Sequence, residues 1–350
     1  MKRLFIIAGI ALAIGLIWSG MGFAKKTTHL DRRKNDAGCA GCHAGSGVPG
    51  TPLLKKSWDT LCFICHGTIK KGKKGEALTD MEEVFAKQSI HPIFETSKYH
   101  LPDEELPEMN PSAPRHVACE DCHRAHLTVP EIPWAGAKGY AKGKQKMKYA
   151  IDEYELCYLC HSDSANLPDD QTNKMEDFDS MNPSYHPIED MGRNPYVPSL
   201  VKSLKTTSII KCSDCHGNND PLGTKGPHGS DYKPLLIAEY KTDDGPESPK
   251  RYELCYLCHD RRSILEDESF NRHKLHIVYQ YTACFTCHDS HGSKTNQNLI
   301  EFNLNVVQQS PASGGPEFVP WGQGMDRCYL LCHNIDHNIE TVNGKPWPVF

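Results

Sequence analysis

The chain starts with a charged pair, Lys2 and Arg3, followed by an unbroken run of apolar or small residues from Leu4 to Trp18. Gly22-x-Ala24 then fits a small-residue cleavage pattern before Lys25. Residues 1–24 are expected to be a signal peptide that takes the rest of the chain out of the cytoplasm. The alternative is an uncleaved N-terminal anchor, because Leu4 to Ala24 is 21 residues long, about one membrane span. Beyond this segment strand-type alternation is scarce, and 24 Pro and 27 Gly are spread along the chain. That pattern predicts mostly irregular coil with short α-helices and little or no sheet. Asp103 to Pro114, rich in Pro, is expected to be an extended linker.

Composition adds a constraint. Of 350 residues only 38% are hydrophobic, and mean hydropathy is -0.55. Side chains alone are a thin supply for a core of this size, so something else is expected to fill the interior. The formal net charge of -5 argues against nucleic acid as a partner.

The candidate filler is read from the cysteines. All 16 belong to one pattern. Seven copies are Cys-x-x-Cys-His: Cys39, Cys42 and His43; Cys62, Cys65 and His66; Cys119, Cys122 and His123; Cys157, Cys160 and His161; Cys212, Cys215 and His216; Cys255, Cys258 and His259; Cys284, Cys287 and His288. The eighth is longer by one residue, with Cys328, Cys332 and His333. In a helical turn, residues i and i+3 share a face, so two thiols can form thioethers with the two vinyl groups of one haem. The His that follows can then ligate the iron. Disulfides do not ask for a His after every second Cys, and zinc sites need no such His either. Eight covalent haem c groups are therefore expected, with His43, His66, His123, His161, His216, His259, His288 and His333 as proximal iron ligands.

The motifs alternate. Odd ones mostly carry small or acidic residues between the cysteines; even ones carry Phe-Ile, Tyr-Leu or Tyr-Leu-Leu. Glu155 to His161 recurs unchanged as Glu253 to His259. The chain thus divides into four two-haem units, approximately 25–100, 101–195, 196–262 and 263–350. From residue 29 to 337 it resembles the multihaem cytochromes c with doubled Cys-x-x-Cys-His motifs, of the kind used in periplasmic and extracellular electron transfer. Cys284 to Ser293 is especially similar to that family's paired motif. The resemblance implies a chain wrapped around closely packed haems, with a second His on the far side of each iron.

Eleven His remain for eight distal positions. His91 and His186 each follow the first Cys of an even motif by 29 residues, and each precedes Pro; His276 holds the comparable place before Cys284. These three are expected on haems 3, 5 and 7. By the family resemblance His126, His228 and His291 go to haems 4, 6 and 8. His29 is expected on haem 1, and haem 2 is left between His100 and His116. His273 and His337 are spares.

Two histidines per iron, without Met, imply low-potential haems. The expected function is electron transfer between periplasmic or outer-surface redox partners: other cytochromes, quinol-linked donors or outer-membrane conduits, with self-association into a filament as a further possibility. The competing class is an octahaem reductase acting on a small nitrogen or sulfur oxyanion. It would need an open iron position, and no motif ends in anything but His. Lys138, Lys142, Lys144, Lys146 and Lys148 form a basic loop expected to be solvated, with docking of an acidic partner as the alternative. Trp347 to Phe350 is apolar for a terminus.

Overall fold

A computed structural model describes residues 27–33, 35–45, 53–56, 58–67, 80–94, 117–143, 145–163, 167, 169, 171–320, 326–337, 341–342 and 345–346. The expected signal segment, His100, His116, the Pro-rich stretch, Lys144 and Trp347 to Phe350 lie outside them. Among the described residues no helix is long and apolar enough to cross a membrane.

Irregular chain dominates, as the Pro and Gly content predicts. The α-helices are short: α1 Trp58–His66, α2 Met81–Phe85, α3 Cys119–Cys122, α4 Glu153–His161, α5 Lys174–Asp177, α6 Glu253–Tyr256, α7 Arg261–Leu265 and α8 Cys284–Cys287. Five of them, α1, α3, α4, α6 and α8, begin or end on motif residues. Helix α4 is started by Asp152 and Glu155, whose side chain accepts from the backbone N–H groups of Ile151 and Asp152 at 2.6 and 3.0 Å. This is the Glu half of a capping box and satisfies two backbone donors at the helix start.

There is more sheet than expected, in very small pieces. β1 Ser89–Ile90 pairs antiparallel with β5 Gly229–Ser230, and β4 Ser184–Tyr185 with β6 Gly292–Ser293. β2 Gly139–Ala141 and β3 Gln145–Met147 form a hairpin, so the lysine-rich segment is a β-ribbon and not a plain loop. Its Lys142 is paired with Asp179 at 2.6 Å. β7 Glu317–Val319, β8 Arg327–Cys332 and β9 Ile335–His337 form a three-stranded sheet, and β10 Thr341–Val342 pairs with β11 Lys345–Pro346. Alternation over two or three residues carries too little pattern to be seen in a sequence.

The β1–β5 and β4–β6 contacts are the same junction built twice. Each joins segments far apart in the chain, and each is sealed by a close backbone approach. A Cβ on Gly229 would overlap the carbonyl of Val84 at α2, and one on Gly292 would overlap the carbonyl of Asp177 at α5. In both places an aromatic residue stands edge-on to a His: Phe85 against His228 at 6.0 Å and 81°, Phe178 against His291 at 5.4 Å and 85°.

Side-chain core is sparse and lies behind the motifs. One cluster holds Tyr158, Met175, Phe178 and Ile188; another holds Tyr252, Ile277 and Ala283, with Tyr256 packed against it. Tyr158 and Tyr256 are the residues right after the first Cys of motifs four and six. Their hydroxyls reach Glu189 at 2.7 Å and Glu247 at 3.1 Å, which anchors these two turns to the protein.

Candidate haem-binding sites

In motifs one, three, five, six and seven the His N–H donates to the first Cys carbonyl, at 2.8 to 2.9 Å. This closes one helical turn and sets both thiols on one side. Motifs two and four complete α1 and α4. All sixteen cysteines are free of disulfides. Burial pushes the thiols of Cys122, Cys215 and Cys328 up to about 12. Thiols held this way are unlike the thiolates of zinc or redox sites. Among the described residues no three His, Cys, Asp or Glu side chains converge as a zinc site requires.

Successive motifs are neighbours in space. The thiols of Cys157 and Cys212 lie close enough to interact, as do those of Cys255 and Cys284. Cys42 lies within electrostatic reach of Cys62 and Cys65, Cys215 of Cys255 and Cys258, and Cys287 of Cys328 and Cys332. Glu153 of motif four's helix accepts from the Ser213 backbone and hydroxyl of motif five at 2.8 and 2.9 Å.

All these motifs border one continuous cavity of about 3320 Å³. Shared among eight groups this is roughly 400 Å³ each, in the range of a cofactor-sized pocket. Sixteen His line it, and they face one another in eight pairs. The ring centroids are 6.2 Å apart for His29 and His66, 6.0 Å for His43 and His126, 6.4 Å for His91 and His161, and 5.8 Å for His123 and His228. They are 6.4 Å apart for His186 and His259, 6.3 Å for His216 and His291, 6.4 Å for His273 and His288, and 6.2 Å for His276 and His337. A metal with an imidazole nitrogen about 2 Å away on each side needs centroids roughly 6 Å apart. The spacing therefore fits an iron between the rings.

Orientation fits as well. His123, His216 and His288 donate from Nδ1 to the carbonyls of Pro133, Pro234 and Asn298 at 2.9, 2.9 and 3.0 Å. His91 donates to Pro227 at 2.6 Å, and His186 to Ser290. Committing Nδ1 to the protein fixes the ring and leaves Nε2 for the cavity. Burial lowers the pKa of His161, His228 and His259 to about 4 and of His273 to about 3. These rings are neutral at ordinary pH and hold a lone pair for a metal.

Which His face each other departs from the sequence-based scheme. His186 lies opposite His259 of motif six, not His216 of motif five. His91 lies opposite His161, not His123. His126, His228 and His291 face back to His43, His123 and His216, not forward to motifs four, six and eight. His29 faces His66, which leaves motif two without need of His100 or His116. His273, expected to be a spare, faces His288, the place expected for His276; His276 instead faces His337, likewise expected to be a spare. The reason is the junction. Strands β1 and β5 bring His91 beside the loop of His228, and β4 and β6 bring His186 beside His291. Two rings from two motifs therefore leave one junction in opposite directions. No local signal marks this, since the strands are two residues long.

The eighth motif differs in kind. It lies on β8, not in a helical turn. Cys328 and Cys332 are four residues apart on an extended strand, about 13 Å at 3.3 Å per residue, too far to match the turn spacing of the other seven. His333 does not line the cavity. The fit of this site to a haem rests on its ring pair and not on its thiols.

Helical Cys-x-x-Cys-His turns around one cavity of paired imidazoles define a multihaem c-type cytochrome, which binds haem c covalently and moves electrons. Residues 118–301, just over half of the chain, match the family model described as outer membrane cytochrome MtrC/MtrF-like, domains II/IV, and the chain belongs to that family. Residues 32–71, around the first two motifs, match the doubled CXXCH motif. No match is found among the curated proteins or the solved structures.

Proposed function

We propose that this cytochrome carries electrons along eight covalent haems, each iron held between two imidazoles at low potential. The observation that carries this reading is the set of eight facing His pairs around one cavity. In this reading His29, His91 and His186 are the distal ligands opposite His66, His161 and His259, and His126, His228, His291 and His273 those opposite His43, His123, His216 and His288; the ring distances support it. The order of neighbouring thiols supports a path that follows the chain, haem by haem. Bis-imidazole ligation changes little in geometry between ferric and ferrous iron, which suits a relay.

The four two-haem units following a cleaved signal at 1–24 are part of the same reading, supported by the duplicated junction. Location at the outer surface, with other cytochromes of an outer-membrane conduit as partners, is supported by the family. Self-association into a filament has no support in the described residues. A reductase would need one iron with an open face. Among the seven regular motifs each His has another imidazole opposite, which favours a carrier. Intact mass of the mature protein, with ferric absorption and EPR spectra, tests the reading. Eight haems, all low-spin, are expected; one full high-spin haem that binds cyanide would replace the carrier with an enzyme.

A further inference from the structure

We infer that Asp289 sets the potential of the fifth iron: its carboxylate, hydrogen-bonded to the imidazole of His291, makes the haem on Cys212 and Cys215 harder to reduce than its counterpart at motif three. This rests on the bis-imidazole reading above and deepens it at one site. Asp289 acts through His291 and is a positioning residue, not a ligand.

The motif itself is regular. Cys212–Asp214 form a tight helical turn, the His216 N–H donates to the Cys212 carbonyl at 2.8 Å, and the ring of His216 faces that of His291. Asp289 is fixed beside this pair. Its N–H donates to the Leu299 carbonyl at 3.0 Å. Its Oδ1 accepts from the His291 backbone N–H at 2.7 Å and from His291 Nδ1 at 3.1 Å. The edge of Phe178 holds another side of the ring. Both side chains are mostly buried, 29% exposed for Asp289 and 26% for His291, so water screens the contact little. Lys174 lies within electrostatic reach of Asp289, but its ammonium is engaged by Asp177 at 3.0 Å and by the Thr172 hydroxyl at 2.6 Å.

The duplicated junction supplies an internal comparison. His228 and His291 hold matching places, in Pro227-His228-Gly229-Ser230 and Ser290-His291-Gly292-Ser293. Each is near parallel to the ring it faces. Each facing His donates from Nδ1 to a Pro carbonyl at 2.9 Å, His123 to Pro133 and His216 to Pro234. The two sites differ two residues before the distal His, where one has Asp289 and the other Gly226. Gly226 has φ 98°, and a Cβ on it would come within 3.2 Å of the His228 ring, so that backbone disfavours any side chain. His228 interacts with the Lys225 backbone, and among the described residues no carboxylate bonds its Nδ1. Before His126 the same position is Arg124, a cation.

A carboxylate that accepts from the far nitrogen of a ligating imidazole strengthens that imidazole as a donor. It also places a negative charge near the metal. Both effects favour the ferric state, which carries one more positive charge than the ferrous. The proton stays on Nδ1 throughout. The fifth iron therefore takes its electron at a lower potential than the third, and stays oxidised after that counterpart is reduced.

The test is a potentiometric titration of the full haem-loaded protein followed by ferric EPR. The motif-five component is the one lost in His291→Ala, and the motif-three component the one lost in His228→Ala. Asp289→Asn keeps an acceptor for the turn and removes the charge. It should leave eight low-spin haems and raise the ferrous-to-ferric ratio of the motif-five component about tenfold at a given potential, ~59 mV for a one-electron couple. The motif-three component should not follow it. An unchanged midpoint, an equal rise at motif three, or a high-spin iron in Asp289→Asn would overturn the inference, the last because the carboxylate would then only hold the ring in place. Asp289→Glu, which keeps the charge, should stay closer to the wild type than Asp289→Asn; the reverse order would also overturn it. A high-spin motif-five iron in the wild type would sink the bis-imidazole reading and this inference together. Unchanged midpoints in all-low-spin protein would sink this inference alone.

Discussion

The imidazole of His291 lies parallel to that of His216, 2° from coplanar alignment with centroids 6.3 Å apart, although His291 belongs to the loop after motif seven and His216 to motif five. Its backbone carbonyl meanwhile accepts from His186 at 2.9 Å, and His186 faces motif six. In the proposed reading one junction thus serves two irons.

Replacing either His of that junction should affect a different haem. His291→Ala should open the iron on Cys212 and Cys215, and His186→Ala the iron on Cys255 and Cys258. Each variant should show one high-spin ferric haem, with a raised potential in a spectroelectrochemical titration. Loss of the same EPR component in both variants would refute the pairing.

The ring planes sort into two groups. Pairs at motifs one, three and five are near parallel, at 6°, 22° and 2°. Those at motifs two, four and six are tilted by 65°, 54° and 56°. Parallel axial imidazoles split the iron d orbitals rhombically, and crossed ones do so less. Ferric EPR should therefore resolve two families of low-spin signal. His291→Ala should reduce the rhombic family and His186→Ala the large-g family. A single homogeneous low-spin signal would contradict the ring geometry.

Gly229→Ala and Gly292→Ala should each force the strand pair away from the carbonyl it touches. Overpacking of this kind costs about 1–3 kcal/mol. A lowered Tm for both variants, relative to Gly45→Ala with open space around it, is the expected result. Equal Tm values would show that the junctions contribute nothing to stability.

Glu189 should make stability depend on pH. Burial raises its carboxyl above the usual range, more than the hydroxyl of Tyr158 lowers it. The folded state then holds this proton more tightly than the unfolded chain does. Its contribution is fully present below the ordinary Glu pKa and is lost as pH rises through the elevated one. Glu189→Gln should flatten that part of the denaturation profile; an unchanged slope would exclude Glu189 as its source.

The motifs were legible because haem attachment demands fixed residues at fixed spacing, and short helices in irregular chain followed from Pro, Gly and the poverty of apolar residues. The additional residue between Cys328 and Cys332 was visible, but not that it turns a helical site into a hairpin. Ligand pairing was not legible. His91 and His186 do occupy equivalent places, as their common 29-residue spacing suggested, yet the shared destination lies one motif further on. That step is set by β1–β5 and β4–β6, contacts between residues over a hundred positions apart that leave no periodic trace. Nothing but the surplus of His marks His273 and His337 in the sequence.

The direction in which each ring points sets an order of completion. His29, His91 and His186 precede the irons they face, so as the chain emerges from its N-terminus these haems find both imidazoles as soon as their own cysteines arrive. The haems of motifs one, three and five must wait for His126, His228 and His291. Each waits until the next odd motif has also been delivered. In the proposed reading, haem loading in chain order leaves every second haem with one open face until the next odd motif has arrived.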